Sequence, residues 1–577
     1  MTTLYNDPAE FAEDQLLGFA DLYADRLRAV PGGVVAHRGP EPIVAVVVGG
    51  GSGHYPAFAG LVGPGFASGA VVGNIFTSPS AAQVYSVAKA ADQGRGVILT
   101  FGNYAGDVMN FGIAAERLRR EGIDTRVVLV TDDVASSPVE EQRRGIAGDF
   151  TVFKALGAAA AAGAGIDEVE RIGRAANAAT RSFGVAFSGC TMPGATEPLF
   201  TVPHRHMGVG LGIHGEPGIR DEPLMPARDL ARLLVDGILS ARPEPSDAAP
   251  TRGTGASRVA AIVNGLGTTK YEELFLLWNE IRPLLDAAGL TPVEPEVGEL
   301  VTSLDMGGCS LTLMWLDEEL ETTWRADAYA PGYRKQAAPL SELRPVDPGA
   351  LDTAEAAAPE PSAAGAGLAP LVIAGLRELQ RTLHENEAEL GRIDAVAGDG
   401  DHGRGMVKGI DGAIRAVDAL GDAGFGPGWV LRSAGRAWAA DAGGTSGVLW
   451  GAGLEAAGDA LTDTRERYDA DAVSEAVGAF VDAILELGRA EIGDKTLVDA
   501  MVPFRDALNA GIEAGSGAAR AWAAAAEVAT DAARETAALT PKKGRARPLA
   551  EKSVGTPDAG ATSFGLMVTA LGALAAR

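Results

Sequence analysis

The sequence predicts an α/β region with mixed and parallel sheets, followed by an all-helical domain. From residue 42 to 217, short apolar runs alternate with glycine-rich turns and helical stretches, which is typical of a mainly parallel α/β sheet. From residue 371 to 577, long alanine-rich stretches are joined by glycine-rich loops, and runs of β-branched residues almost disappear. Because a chain of 577 residues is too long for one hydrophobic core, we expect several domains.

Three short apolar runs, at 43–48, 97–101 and 126–130, predict buried strands, and each is followed by glycine or polar residues. Helical stretches at 81–93 and 107–120 lie between them. In open α/β sheets, ligands bind beyond the carboxyl ends of the strands. The loops that follow these strands are therefore the expected location of a ligand site.

A second α/β unit and a change of character follow along the chain. Apolar runs at 257–264 and 311–316 predict strands of this second unit. The next segment is rich in Ala, Pro, Glu and Asp, which suits a flexible linker, and a long helix is expected over 518–538. The predicted bounds of the two α/β subdomains, the linker and the helical domain are 1–186, 187–340, 341–368 and 369–577.

The net charge of −27 argues against binding to nucleic acids or acidic membranes, although a metal ion and backbone N–H groups can offset the charge of an anionic ligand locally. The two cysteines exclude a disulfide framework and a cysteine-rich zinc site, and they fit a reduced cytoplasmic setting. The first residues lack the basic and apolar regions of a signal peptide, and no apolar run approaches the length of a membrane span.

Two loops of the first α/β subdomain carry side chains that can do chemistry. Gly-Gly-Gly-Ser-Gly-His at 49–54 surrounds Ser52 and His54 with glycines whose N–H groups can point at a ligand. A structural turn explains this segment nearly as well. After the next predicted strand, Asp107 lies at the start of a helix. Its carboxylate can accept a proton from a hydroxyl, but helix capping is the simpler interpretation.

Three of the seven histidines lie within residues 204–214. No cysteine or regular histidine spacing accompanies them, so a zinc site is not supported. His214 ends a glycine-spaced apolar segment, where a neutral imidazole can act as a base or as a nucleophile. Taken alone, a single histidine of this kind is more often structural.

Asp394, Asp399 and Asp401 bring three carboxylates into the short segment Asp-Ala-Val-Ala-Gly-Asp-Gly-Asp. Close carboxylates repel one another, and a hard divalent cation such as Mg²⁺ takes oxygen ligands of this kind. Glycines disfavour a continuous helix, so we expect a helix to end near Ala397 and an acidic loop to follow. On this pattern alone, a metal site and a solvated acidic turn are equally good interpretations.

Further loops of the helical domain carry groups that suit phosphate. Gly-Gly-Thr-Ser-Gly at 443–447 offers amides and two hydroxyls, and Gly-Asp-Lys-Thr at 493–496 places a cation beside an acid. A helix cap with a surface ion pair is the structural alternative for the second loop. A basic loop, Gly-Arg-Ala-Arg, follows at 544–547. Together with the acidic segment, these loops indicate a nucleotide site built on helices.

Taken together, the motifs resemble those of the dihydroxyacetone kinase family in its fused, ATP-dependent form, over nearly the whole chain outside the linker. Gly-Gly-Gly-Ser-Gly-His, Asn-Tyr-Ala-Gly-Asp and Gly-Ile-His-Gly-Glu-Pro-Gly mark the ketone-binding half. The acidic segment, Gly-Gly-Thr-Ser-Gly, Gly-Asp-Lys-Thr and Gly-Arg-Ala mark the nucleotide-binding half. The resemblance implies phosphorylation of a terminal hydroxyl of a short-chain ketose, an eight-helix barrel for the helical domain, and a homodimer.

In the ketone-binding half, the resemblance implies that the imidazole of His214 adds to the substrate carbonyl as a covalent hemiaminal, which selects ketoses over glycerol. Asp107 would act as the base on the terminal hydroxyl, and His54 would orient or relay that proton. The implied substrate-binding residues are Gly51, Ser52, Gly53 and Gly102.

In the nucleotide-binding half, the resemblance implies that Asp394, Asp399 and Asp401 carry Mg²⁺ bridging the phosphates of ATP, the electrostatic role that phosphoryl transfer requires. The helical domain would deliver ATP to the ketone site of the other subunit. The other residues implied to line the nucleotide pocket are His402, Gly403, Arg404, Gly405, Thr445, Ser446, Gly488, Leu497, Arg545, Asp558, Ala559 and Gly560.

The ketone site departs from the family pattern. Tyr55 and Phe58 stand where Glu and His often follow the active-site histidine, and Gly102 replaces a lysine that often precedes Asn-Tyr. Loss of this lysine removes a cation and is expected to open space near the base, so the substrate is expected to be dihydroxyacetone or the longer erythrulose. In the helical half, the segments at 402–405 and 558–559 also differ from the usual motifs, while the three metal aspartates are intact.

Two other functions are alternatives to a kinase. Some relatives that lack nucleotide residues act as coactivators, so a non-catalytic ketose-binding regulator is one of them, although the acids of the helical half are retained here. The other is a lyase activity at the same nucleotide site, which would release a cyclic phosphate from an FAD-type dinucleotide.

Overall fold

The computed structural model describes residues 2–243, 257–336, 358–396, 398–421, 424–542 and 550–576. Contacts between residues divide the chain into two compact units, 1–346 and 347–577. The first unit is built from strands and helices and the second from helices alone, which confirms the predicted fold class.

The first unit contains two large sheets. Its first half comprises α1 (Phe11–Leu22), β1 (Leu27–Val30), β2 (Gly33–Ala36), β3 (Ala45–Ser52), β4 (Gly69–Ile75), α2 (Ala81–Ala91), β5 (Val97–Gly102), α3 (Ala105–Arg120), β6 (Thr125–Val130), α4 (Gly148–Ala161) and α5 (Ile166–Ala178). Its second half comprises β7 (Thr180–Ala186), β8 (His206–Val209), β9 (Arg220–Pro223), α6 (Ala227–Leu239), β10 (Ser257–Gly265), α7 (Tyr271–Ala287), β11 (Leu290–Pro292), β12 (Glu296–Gly298), β13 (Gly308–Trp315), α8 (Glu318–Arg325), β14 (Ala328–Ala330) and β15 (Tyr333–Lys335).

The first sheet has the strand order β1-β2-β4-β3-β5-β6, in which β4, β3, β5 and β6 are parallel. Strand β3 is longer than predicted, because residues 49–51 pair with β4 and the strand ends only at Ser52. Side chains have no room in this part of the strand, since a Cβ on Gly51 would lie 2.7 Å from the backbone nitrogen of Thr77. The glycines that were expected to form a loop therefore extend the strand.

The second sheet has the order β11-β10-β13-β7-β8-β9, with β12 also paired to β10. It is mixed, because β13 runs antiparallel to both of its neighbours whereas β11 and β12 run parallel to β10. The predicted boundary at residue 186 falls at the end of β7, which is a strand of this second sheet. Helix α4 contacts β3 of the first sheet and β7 of the second, and it is buried from Gly148 to Ala160, so the two sheets share one core.

The helical unit consists, within the described residues, of eight long helices and one short one. They are α9 (Ala363–Asp394), α10 (His402–Ala419), α11 (Pro427–Ala442), α12 (Gly444–Leu461), α13 (Ala470–Gly488), α14 (Val498–Glu513), α15 (Ala518–Glu535), the short α16 (Ala550–Ser553) and α17 (Ala559–Ala575). The Ser362 side chain caps α9 by accepting the Gly365 N–H at 2.9 Å. Residues 363–368, which were assigned to the linker, are therefore helical, and 341–357 lie outside the described residues.

Each long helix packs against the next, and α17 packs against α9, so the eight helices close into a ring. Neighbours run antiparallel. The backbone of Gly403 at the start of α10 packs against that of Glu387 near the end of α9, and Gly428 near the start of α11 packs against Gly458 near the end of α12. It follows that α10, α12, α14 and α17 begin at the end of the ring where α9, α11, α13 and α15 finish.

Two further sequence expectations concern the membrane and the cysteines. None of the helices that the structure describes is long and apolar enough to cross a membrane. Cys190 and Cys309 are both buried free thiols.

Candidate functional site

His54 and His214 form a close pair between the two sheets of the first unit. His54 follows β3 of the first sheet, and His214 lies in the loop between β8 and β9 of the second. Their Nε2 atoms are 3.0 Å apart, and the ring planes meet at 80°. The sequence indicated each histidine in a separate loop, and the fold brings them together across 160 residues.

The hydrogen bonds of His54 determine where its proton lies. Its Nδ1 is 2.7 Å from the carbonyl oxygen of Thr302, so Nδ1 carries the hydrogen and donates it. His54 is 3% exposed, and this burial, together with the charge of His214, lowers the pKa of His54 to about 3. A neutral His54 therefore presents the lone pair of its Nε2 to His214.

Glu216 holds the other nitrogen of His214. Its Oε1 lies 2.9 Å from His214 Nδ1, and its Oε2 accepts the His214 backbone N–H at 3.0 Å. Burial raises the pKa of this carboxyl, but the hydrogen bond and charge of His214, together with Arg144, outweigh burial and lower the pKa to about 2. Arg144 Nη1 is 3.7 Å from Glu216 Oε2, and its Nη2 is 2.8 Å from Asp133 Oδ2.

Aromatic rings border the histidine pair. The ring of Phe76 stacks on His54 with centroids 5.2 Å apart, and it meets His214 edge-on at 5.1 Å. Tyr104 also meets His214 edge-on, at 5.0 Å. A small substrate that reaches Nε2 of His214 would therefore be bounded by apolar surfaces on two sides.

Asp107 lies in the first turn of α3, as predicted, but it is not the N-cap, which is Tyr104. It is 9% exposed, and its buried Oδ1 has no hydrogen-bond partner among the described residues. Burial raises the pKa of Asp107, while a hydrogen bond with Ser78 and the charge of His214 oppose that shift. Asn110 donates to Ser78 Oγ at 3.3 Å and so orients this hydroxyl. A buried carboxylate with an open oxygen can accept a proton.

The residues predicted to bind substrate lie around this pair, with two corrections. The hydroxyl of Ser52 donates to the carbonyl of Gly73 within the sheet, so it does not act as a side-chain donor. Gly102 is the last residue of β5, and a Cβ there would lie 3.1 Å from both the Gly145 carbonyl oxygen and Tyr104 Cε2. The space that the absence of a lysine was expected to open is therefore occupied, next to the Cα of Gly102, by Tyr104 and the backbone of Gly145. Gly51 packs against the backbone of Phe76. Gly53 adopts a φ of 103°, which favours glycine.

The other histidines of the 204–214 segment do not join this pair. His204 is exposed, and His206 Nδ1 contacts the His204 carbonyl at 2.9 Å. The one group of potential metal ligands found among the described residues is acidic rather than histidine-based.

That group is Asp394, Asp399 and Asp401, in each of which one carboxylate oxygen lies within 4.8 Å of those of the other two. Asp394 ends α9, while Asp399 and Asp401 are exposed in the loop before α10. The predicted helix end at Ala397 lies outside the described residues. Three converging carboxylates suit a hard divalent cation, which takes oxygen ligands of this kind.

The residues predicted to bind the nucleotide lie at this same end of the ring. His402–Gly405 form the first turn of α10, Thr445 and Ser446 that of α12, and Gly488 ends α13. Helix N-termini present free N–H groups and favour anions. Leu497 is the N-cap of α14, Asp558 is the N-cap of α17, and Ala559 and Gly560 follow it. Arg545 lies outside the described residues.

Lys495 has a role that the sequence did not predict. It is 5% exposed, and its Nζ donates to the carbonyl oxygens of Leu539 at 3.1 Å and Ser553 at 2.7 Å. The interpretation of this loop as a surface ion pair is therefore wrong for the lysine. A cavity of about 40 Å³ beside it is also lined by Asp394 and Asp558. Burial raises the pKa of Asp558 to about 6, although the hydrogen bond that its carboxylate accepts from the Ala561 N–H lowers the pKa.

Two domain families match the chain: a Dak1 domain over residues 17–332 and a DAK2 domain over residues 396–573. The chain belongs to the dihydroxyacetone kinase family. Its two halves are fused in one polypeptide, because the Dak1 match covers the α/β unit and the DAK2 match covers most of the helical ring.

Members of this family resemble the chain over nearly its whole length. A D-erythrulose kinase of Mycolicibacterium smegmatis is 57% identical, covering 98% of this chain and 97% of that protein. An L-erythrulose 1-kinase of the same organism is 53% identical, with 99% of each covered. The crystal structure of the dihydroxyacetone kinase from C. freundii in complex with AMP-PNP and Mg²⁺ matches with a TM-score of 0.58 and 29% identity, over 99% of each chain.

Proposed function

We propose that this chain phosphorylates a terminal hydroxyl of a short-chain ketose, which it holds covalently through His214. The chain is an ATP-dependent ketose kinase, with ATP and Mg²⁺ as its cofactors. The observation that carries the covalent step is the 3.0 Å contact between the Nε2 atoms of His214 and His54, together with the buried carboxylate of Asp107, which interacts with the charge of His214. A single histidine in an apolar loop would not support this chemistry.

The residues suggest a sequence of roles. Nε2 of His214 adds to the ketose carbonyl, and the neutral His54 relays the proton that the carbonyl oxygen takes up. Asp107, with its open Oδ1, then accepts the proton of the terminal hydroxyl that is phosphorylated. The backbone of residues 51–53, at the carboxyl end of β3, would hold the other hydroxyls.

The acidic end of the helical ring suits the other half of the reaction. Asp394, Asp399 and Asp401 would hold Mg²⁺, which neutralises charge on the phosphates when bound. The first turns of α10, α12 and α17 would direct their N–H groups at the nucleotide. We also propose a homodimer in the cytoplasm, in line with the family resemblance.

Erythrulose is the preferred candidate substrate. Two relatives that are more than half identical over nearly the full length carry names of erythrulose kinases, one for each enantiomer. Because the two names specify opposite enantiomers, they favour a four-carbon ketose but do not indicate which enantiomer is the substrate. The cyclising lyase activity stays a prediction.

ADP release in a coupled assay tests the proposal with dihydroxyacetone, glyceraldehyde, D-erythrulose, L-erythrulose and glycerol, with and without Mg²⁺. We expect release that requires Mg²⁺ and a ketose, the highest kcat/KM with one erythrulose, and no reaction with glycerol. His214→Ala should abolish the preference for ketoses, and His204→Ala, which removes an exposed histidine, serves as its control.

The metal assignment has its own pair of variants. Asp401→Asn should lower kcat by about 10²–10³-fold, the range seen when one group that stabilises transition-state charge is removed. Asp418→Asn changes an acid of α10 that pairs with Arg377 and should be neutral. Full activity of Asp401→Asn would refute the assignment, and ready phosphorylation of glycerol by the unmodified chain would refute covalent trapping.

A further inference from the structure

A charged network lies behind His214, formed by residues to which the sequence motifs assigned no role. Glu216 contacts the imidazole, Arg144 lies between Glu216 and Asp133, and the exposed fractions of these three side chains are 28%, 13% and 4%. Arg144 also donates to the Gly210 carbonyl at 3.3 Å. Asp133 and Arg144 follow β6 of the first sheet, whereas Glu216 belongs to a loop of the second sheet, so the network joins the two sheets at the histidine pair.

We propose that Glu216, held by Arg144, is a positioning residue for covalent ketose binding: it keeps the hydrogen of His214 on Nδ1, directs Nε2 toward the ketose, and balances the positive charge of the ring in the adduct. This inference rests on the proposed function.

Hydrogen bonds to the two histidines determine where their protons lie. His54 donates its Nδ1 hydrogen to Thr302, so its Nε2 bears a lone pair. An ionised Glu216 accepts from His214 Nδ1 at 2.9 Å, so that nitrogen carries a hydrogen. The 3.0 Å contact between the two Nε2 atoms then places one hydrogen between two facing lone pairs, shared by the two rings.

Addition of His214 to the ketose leaves a positive charge on the imidazole ring. A bond forms between His214 Nε2 and the carbonyl carbon, the C=O π pair moves to the oxygen, and that oxygen takes the proton that the two Nε2 atoms shared. The ring of His214 keeps its Nδ1 hydrogen, so it carries one positive charge in the adduct. A carboxylate in contact with Nδ1 stabilises this cation, and the cationic ring leaves readily when the phosphorylated ketose is released.

Arg144 opposes transfer of the Nδ1 proton from His214 to Glu216. A carboxylate that is hydrogen-bonded to an imidazolium can accept the proton of that ring, which leaves both groups neutral. Nδ1 of His214 would then bear the lone pair in place of Nε2. The guanidinium of Arg144 at 3.7 Å favours the ionised form of Glu216, and Asp133 holds that guanidinium through Nε at 3.0 Å and Nη2 at 2.8 Å. Carboxylate partners of this kind orient histidines that bind metals as well.

Glu216→Gln is the direct test, because glutamine keeps an oxygen acceptor near Nδ1 and loses the charge. We expect kcat/KM for the ketose to fall about 10–100-fold, as for lost partners of functional histidines, with the KM for ATP unchanged. In ¹³C NMR with [2-¹³C]dihydroxyacetone, the hemiaminal carbon signal should shrink relative to the carbonyl signal. Histidine ¹⁵N spectra should show that His214 has lost its fixed Nδ1 hydrogen.

Glu222→Gln is the matched control, because that glutamate pairs with Arg220 outside the network and should keep wild-type values. Glu216→Asp should recover part of the adduct signal. If Glu216→Gln does not fold, Arg144→Met, which leaves Glu216 in place, should give the same loss of adduct signal.

Unchanged adduct signal and unchanged ¹⁵N spectra in folded Glu216→Gln, or in Arg144→Met, would overturn the inference. Failure of the proposed function is a separate result, since the unmodified chain would then show neither an adduct nor ketose-dependent ADP release.

Discussion

Nε2 of His54 lies 3.0 Å from Nε2 of His214, although one histidine follows a strand of the first sheet and the other lies in a loop of the second. His54 is held by the Thr302 carbonyl, and His214 is held by Glu216. The facing nitrogens can share a single proton, which is the arrangement that a reversible addition to a carbonyl requires. This contact links the fold to the proposed chemistry.

Removing the hydroxyl that contacts Asp107 should shift the pH dependence of the reaction. The base must be ionised to act, burial raises its pKa, and the Ser78 hydrogen bond opposes that rise. In Ser78→Ala the pKa of Asp107 should therefore rise further, and the acid limb of kcat/KM for the ketose should move to higher pH. Exposed Ser240 is the control position, and Asp107→Asn should lower kcat by about 10²–10⁴-fold. An acid limb that stays in place in Ser78→Ala would contradict this role.

A lysine introduced at residue 102 should discriminate against the larger ketose. A side chain there must displace the ring of Tyr104, whose Cε2 would lie 3.1 Å from the new Cβ. We expect Gly102→Lys to lower kcat/KM for erythrulose more than for dihydroxyacetone. Gly102→Ala separates the effect of the Cβ from that of the long cationic chain. Equal losses for both ketoses in Gly102→Lys would show that this position does not determine substrate length.

Lys154 in α4 is buried, and its Nζ donates to the Thr323 carbonyl at 2.8 Å. Burial lowers its pKa from 10.5 to about 7. The unfolded chain therefore binds more protons than the folded chain between these values, so folded-state stability rises with pH across that window and the full penalty applies below pH 7. Lys154→Met should raise the free energy of unfolding by about 1–3 kcal/mol at pH 6, a figure that allows for the loss of the hydrogen bond to Thr323. Near pH 10 the free energy of unfolding should rise by little.

Thermal unfolding of the Lys154→Met variant at the two pH values measures this difference. Lys89→Met removes an exposed lysine that pairs with Glu121 and should show no comparable pH dependence. A gain that is equal at both pH values would mean that the buried amine does not change its protonation on unfolding.

Lys495 joins two chain segments beside the cavity that Asp394 and Asp558 also line. Its ammonium bonds the carbonyls of Leu539 and Ser553, so Lys495→Met leaves both without this donor. We expect the KM for ATP to rise about tenfold, the equivalent of roughly 1.4 kcal/mol, while the KM for the ketose stays unchanged. Lys408→Met, on the exposed face of α10, is the control. A larger change in the ketose KM than in the ATP KM would place the role of Lys495 elsewhere.

Local patterns predicted much of the fold. Alternation of apolar runs with helical stretches located β5, β6, α2 and α3 closely, because burial on both faces of a parallel strand leaves a continuous apolar run. The errors have a common cause. Strand β3 extends through its glycines because β4 pairs with them, and β7 belongs to the second sheet because β13 pairs with it. Neither partner can be seen in the strand's own sequence.

The candidate site divides in the same way. By itself the sequence determined the α/β and helical classes, the three close carboxylates and the glycine motifs, since these depend on residues within one short segment. Only the tertiary structure decided that His54 meets His214, that Arg144 reaches Glu216, and that the starts of four helices gather at the acidic end of the ring. The physical reason is that hydrogen bonds and charge interactions act over a few ångströms in space, whatever the separation of their residues along the chain.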